Sequence, residues 1–115
     1  MALTPNFKRS EFACKCGCGF DAVDFELLTT LELIRFNFKK PVVINSGCRC
    51  ASHNNTIGGS PNSHHMLGKA ADIKIKDVSP KEVYDAIDML YPHKYGIGLY
   101  DSWVHIDVRE KRARW

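Results

Sequence analysis

Three side chains of this sequence have the types and spacing of metal ligands. His65 and Asp72 lie in the run Ser63-His64-His65-Met66-Leu67-Gly68-Lys69-Ala70-Ala71-Asp72, and His105 follows 33 residues after Asp72, in Trp103-Val104-His105-Ile106-Asp107. A catalytic Zn²⁺ takes three protein ligands drawn from His, Asp and Glu and keeps one position open for water or substrate. His65, Asp72 and His105 would fill those three places. The pattern is not the helical H-E-x-x-H arrangement, in which two ligands one turn apart share a helix face. Gly68 and the small pair Ala70-Ala71 predict a turn leading into a strand over 71–75, so His65 and Asp72 would approach a metal from a loop and a strand. His105 sits on a second alternating strand, which must run close to the first.

The elements that position these residues are legible. Leu27, Leu31, Ile34 and Phe38 recur at helical steps and predict a helix from Ala22 to Phe38, stopped by Pro41. Val42-Val43-Ile44 reads as a buried strand that delivers Asn45 to Arg49 at its end. Ala51 to Asn62, rich in Ser, Asn, Gly and Pro, reads as a surface loop. A second helix starts at Ser79 as N-cap, with Pro80 at its first position and Glu82 completing a capping box. Tyr95 to Tyr100 and Trp103 to Val108, separated by Asp101-Ser102, predict a hairpin. The fold class is therefore α+β, a small mainly antiparallel sheet with helices packed on one side.

A chain of 115 residues, 44% hydrophobic and 25% charged, fits a single domain over 1–115, expected to act as a monomer. No apolar stretch has the length of a membrane span, and the start Met-Ala-Leu-Thr-Pro-Asn-Phe-Lys lacks the apolar core of a signal peptide, so cytoplasmic synthesis is expected. The net charge of +3 arises in the last seven residues, where Arg109, Lys111, Arg112 and Arg114 face only Glu110. This tail reads as a solvated end pinned by Trp115 rather than an anion-binding surface.

Ser63, His65, Gly68, Ala70 and Asp72, with the hydrophobic-His-x-Asp strand at 104–107, together resemble the zinc D-alanyl-D-alanine carboxypeptidase family of murein peptidases, whose fold is shared with the hedgehog signalling domain. Ile44-Asn45-Ser46-Gly47-Cys48-Arg49 is similar to that family's Ser-Gly-Tyr-Arg segment, and Tyr95-Gly96-Ile97-Gly98-Leu99-Tyr100 to its Gly-Ile-Gly-x-Tyr strand. The resemblance covers roughly residues 7 to 115. It implies Zn²⁺ on His65, Asp72 and His105, the register selecting His65 over the adjacent His64. It also implies that Arg49, 16 residues before His65, matches a functional arginine that stabilises an oxyanion or receives a substrate carboxylate. A structural pairing of Arg49 with Asp72 or Asp107 is the competing reading.

Many members of that family carry a Glu or His three to five residues before the last ligand, where this chain has Ser102, Asp101 and Tyr100. Asp101 is the one carboxylate there and so the candidate base, against the reading that a turn Asp serves its local backbone; His64 and Tyr100 compete for the role. Strand alternation puts Asp107 on the face of His105, either to orient that imidazole or to pair with an arginine. His53 and His93 read as packing or solvated residues.

The five cysteines form a Cys14-x-Cys16-x-Cys18 cluster and a Cys48-x-Cys50 pair. Bridges, a second structural zinc and free thiols all remain open, and pairing of any kind would make the clusters neighbours. With two bridges one thiol is left over, which the resemblance implies is Cys48, where the family has Tyr.

The function expected is zinc-dependent hydrolysis of peptide bonds in the peptidoglycan stem or cross-link, at the bacterial cell wall after release or as part of a phage particle, in the manner of an endolysin. The alternative is a catalytically inactive zinc-containing module that binds cell wall or protein. Specific nucleic-acid binding is not expected, because the chain lacks an interleaved aromatic and basic stripe.

Overall fold

The computed structural model describes residues 2–59 and 63–115. It opens with a short hairpin, β1 (Ala2–Thr4) and β2 (Phe7–Lys8), followed by a 3₁₀ turn over Arg9–Phe12 that buries Phe12. Helix α1 (Phe25–Phe38) starts three residues later than the apolar periodicity predicts. Asp24 sets that start, because its carboxylate accepts the Glu26 amide at 2.8 Å and caps the first turn. The helix ends at Lys39, which is left-handed with φ 56°, two residues before Pro41.

Strand β3 (Val42–Ser46) leads to α2 (Ala51–Thr56), a six-residue helix where the sequence reading has loop. Polar Ser and Asn residues can continue a helix once it is capped, and here the Cys50 sulfur accepts the His53 amide at 3.4 Å. The remainder of that expected loop at 60–62 lies outside the described residues. A 3₁₀ turn over His64–Leu67 precedes β4 (Ala70–Ile75); α3 (Pro80–Leu90) is capped by Ser79, β5 (Gly96–Leu99) and β6 (Val104–Asp107) form the hairpin, and β7 (Ala113–Arg114) closes the chain.

The five-stranded sheet has the order β3-β4-β6-β5-β7 and is antiparallel except for β5 with β7, so it is mixed. Alternation gives it two unlike faces. Ile44, Ala71, Ile73, Ile97, Val104 and Ile106 point inward and join Leu27, Leu31 and Ile34 of α1 and Val83 and Ile87 of α3 in one core. Fully burying each Leu or Ile contributes about 1.5–3 kcal/mol. The opposite face carries Asp72, His105 and Asp107, and register pairs Asp72 with His105.

The tail is exposed at Glu110, Lys111 and Arg112 and pinned at Trp115 as expected, but its end is more firmly held than a solvated tail. Its amides and carbonyls join β5, with the Trp115 amide on the Ile97 carbonyl at 3.1 Å and the Leu99 amide on the Trp115 carbonyl at 2.8 Å. Arg114 is drawn inward because it donates to Asp88 and to the Tyr91 and Tyr95 carbonyls, each at 2.7 Å. Arg114→Ala strips these carbonyls of a charged donor and is expected to cost about 2–3 kcal/mol. Urea denaturation checks this, and an unchanged midpoint would refute the anchoring role.

Candidate metal centre

Gly47, just past β3, orients the first candidate ligand, His65. Its carbonyl lies 2.6 Å from His65 Nδ1. A carbonyl only accepts, so Nδ1 carries the proton and Nε2 is left with its lone pair. That Nε2 is buried and has no hydrogen-bond partner among the described residues, although Asp72 Oδ1 lies 3.3 Å away. The second imidazole is fixed in the same manner. His105 Nε2 is 2.7 Å from Asp107 Oδ2, a carboxylate oxygen that accepts, which turns Nδ1 toward Asp72 Oδ1 at 3.1 Å.

Three acceptor atoms thus converge in one buried place, all within 4.8 Å of one another. Lone pairs facing a carboxylate repel unless a cation stands between them. Two imidazoles and one carboxylate are a donor set that suits zinc, and the orphaned Nε2 supplies the fit.

A further layer orients these candidate ligands. Asp107 is wholly buried and accepts from Arg109 Nε and Nη2 as well as from His105, each at 2.7 Å. Burial pushes its carboxyl pKa up, but hydrogen bonds from His105 and Arg109 outweigh this and hold it well below the usual range. The two readings of Asp107, imidazole orienter and arginine partner, therefore describe one residue in both roles. Burial lowers the pKa of His105, but hydrogen bonds with the Asp107 and Asp72 carboxylates raise it by more, so a proton on Nδ1, donated to Asp72, competes with a metal cation for this position. Asp107→Asn keeps the shape and removes the charge that sets the His105 tautomer. It is expected to weaken zinc affinity about 10–100-fold, measured by competition with a chromophoric chelator.

The trio forms the floor of an open cleft of about 560 Å³. Arg49 stands in its wall, with Nη2 3.4 Å from Asp72 Oδ2, Nη1 3.1 Å from Asn54 Oδ1 and its amide 3.0 Å from the His65 carbonyl. The pairing with Asp72 and an exposed edge toward the cleft coexist. Tyr100 and Trp103, stacked at 5.0 Å, and Trp115, whose Nε1 donates to the Tyr100 hydroxyl at 2.9 Å, make an aromatic wall. His64 also lines the cleft.

Asp101 does not. The turn between β5 and β6 closes through the Tyr100 amide on the Trp103 carbonyl at 3.1 Å, and it leaves Asp101 exposed while Tyr100 and Trp103 face the cleft. His93 is exposed and His53 half-buried, and neither lines the cleft.

Arg109 and Trp115 are site residues that the sequence reading did not single out. A signal for them existed in β5, where Gly98 sits opposite His105 and Gly96 opposite Asp107. A Cβ at Gly96 would lie 2.5 Å from Asp107 Oδ2 and 2.6 Å from Arg109 Nε, and one at Gly98 would collide with the Trp115 ring. Two bare positions on one strand face mark the room these side chains occupy. Arg109 in turn lies 5.2 Å from the Trp115 ring centre, in cation–π range.

An α+β sheet that presents two histidines and an aspartate at the floor of an open cleft has the makings of a metallohydrolase. The family model described as Peptidase M15 matches residues 5–107, and the chain belongs to that family. Over 34 residues it is 47% identical to the zinc D-Ala-D-Ala carboxypeptidase of Streptomyces albus G, a stretch that covers 30% of this chain and 13% of that protein. Family and donor set together support zinc as the metal. No helix among the described residues is long and apolar enough to cross a membrane.

Proposed function

We propose that this protein is a zinc peptidase of the bacterial cell wall, cleaving the peptide stem or cross-link of peptidoglycan as a carboxypeptidase or endopeptidase. His65, Asp72 and His105 are the ligands in this reading, and the fold is that of the hedgehog and DD-peptidase group. The observation that carries it is the convergence of three acceptor atoms, one of them an orphaned buried nitrogen, at the floor of a cleft open to a peptide.

Zinc, when bound, supplies Lewis-acid polarisation of a carbonyl and activation of water. The remaining work falls to this chain's residues. Arg49, held between Asp72 and Asn54, presents a planar cation to the cleft, suited to a peptide carboxylate or to charge developing on a carbonyl oxygen. Asp107 and Arg109 hold His105 in the tautomer that leaves Nδ1 free for the metal. With Asp101 turned to solvent, His64 is the group placed to take a proton. Burial lowers its pKa, so the imidazole is neutral near pH 7 and able to accept.

Purified peptidoglycan incubated with the protein, with and without chelator, tests the activity by mass spectrometry. Chelator-sensitive release of stem fragments is expected, and the fragments identify the cleaved bond. Zinc-loaded protein that releases nothing would overturn the reading. One observation favours the binding-module alternative: among the described residues, Asp72 is the sole carboxylate lining the cleft. That module would stay on the wall without releasing fragments, so the same experiment separates the two.

A further inference from the structure

At Cys50, the residue after Arg49, four sulfurs meet. Cys14 Sγ lies 3.4 Å from Cys16 Sγ and 3.8 Å from Cys50 Sγ, Cys16 and Cys50 are 3.6 Å apart, and Cys18 joins them with all four sulfurs within 4.8 Å of one another. We propose that Cys14, Cys16, Cys18 and Cys50 form a second metal site, a structural zinc centre that fastens the N-terminal segment to the wall of the cleft.

Tetrahedral zinc with Zn–S bonds of about 2.3 Å spaces its ligand sulfurs about 3.8 Å apart, and the sulfurs here are already gathered near that spacing. Cys14 is close to both Cys16 and Cys50, so no single pair stands out as a bridge. Amide groups point at the sulfurs as they would at thiolates: the Cys50 amide lies 3.4 Å from Cys14 Sγ and the His53 amide 3.4 Å from Cys50 Sγ. The loop that carries three of the ligands turns through Gly17 and Gly19, with φ of 82° and 90°, which returns the chain sharply enough to aim alternate cysteines at one point. Cys48 is excluded, since its thiol donates to the Phe20 carbonyl at 2.9 Å.

The placement gives the centre a purpose. Cys50 follows Arg49 directly and lies three residues after Gly47, whose carbonyl sets the His65 tautomer. Metal at the cysteines therefore holds one wall of the cleft in position while taking no part in its chemistry.

Elemental analysis of protein purified under reducing conditions should find about two zinc equivalents per chain. Cys16→Ser, at an exposed position, should lose one equivalent; His65→Ala should lose the other, and the double variant both. Replacing zinc with Co²⁺ should give sulfur-to-metal charge-transfer absorption in the wild-type protein and in His65→Ala, and none in Cys16→Ser. This spectrum reads the cysteine centre alone, whatever becomes of peptidase activity, and the wild-type spectrum stands even where Cys16→Ser folds poorly. Cys16→Ser protein that keeps the full wild-type zinc content, Co²⁺-loaded wild-type protein without that absorption, or an intact mass showing two disulfides would overturn the proposal.

Discussion

His65→Ala is expected to remove zinc from the cleft and, with it, to lower the proposed peptide hydrolysis by about a thousandfold or more. The estimate follows from the several kcal/mol that a Lewis acid contributes to a transition state, at about 1.4 kcal/mol per tenfold. Of the three proposed ligands, His65 has the least freedom. It is 2% exposed, its Nδ1 proton is committed to the Gly47 carbonyl at 2.6 Å, and its Nε2 has no other role among the described residues. Removing the ring also leaves that carbonyl without its donor, a cost of about 1–3 kcal/mol. The variant should therefore fold with a lowered midpoint. Zinc content should fall by about one equivalent relative to wild type, since any metal on the cysteines is untouched. A folded His65→Ala protein with the wild-type zinc content would rule His65 out as a ligand.

Gly47→Ala should have the largest effect of any single added methyl group near the site. A Cβ there would stand 2.5 Å from Phe12 Cα, 2.7 Å from its carbonyl oxygen and 2.9 Å from its carbonyl carbon. Those are backbone atoms and cannot rotate away as a side chain would. Phe12 is itself 1% exposed, and its carbonyl accepts the Cys48 amide at 2.9 Å, so the two segments must separate or strain. Overpacking of this kind costs about 2–3 kcal/mol, a fall in Tm on the order of 10 °C for a domain of this size. The same displacement moves the carbonyl that orients His65, so zinc affinity should drop by about tenfold or more, as for other supporting partners of ligands. Calorimetry and chelator competition check the two effects. A variant with unchanged Tm and zinc affinity would show that the close approach of Gly47 to Phe12 carries no weight.

Both expectations rest on contacts distant in sequence, and the legibility of the chain divides along that line. Helix α3 was readable because Ser79, Pro80 and Glu82 act within one turn, and the hairpin because Asp101-Ser102 separates two alternating segments. The helix over 51–56 was missed because its cap is a sulfur, on a residue whose partners lie 34 and 36 positions earlier. Arg109 and Trp115 were missed for a similar reason. Their place is visible in Gly96 and Gly98 only once β5 is known to lie beside β6 and β7.

The kinds of ligand, their alternation on strands and the α+β class can be read from the chain, because residue chemistry and a period of two are local properties. Which atom of each imidazole faces the cleft could not be read there. That choice depends on Gly47 reaching His65 across 18 residues and on Arg109 holding Asp107 beside His105. The exposure of Asp101 likewise came from the closure of its turn, and the gathering of four sulfurs from the packing of an N-terminal loop against the end of β3. Hydrogen-bond direction and burial belong to pairs of segments brought together by the core, so only the assembled fold could decide them.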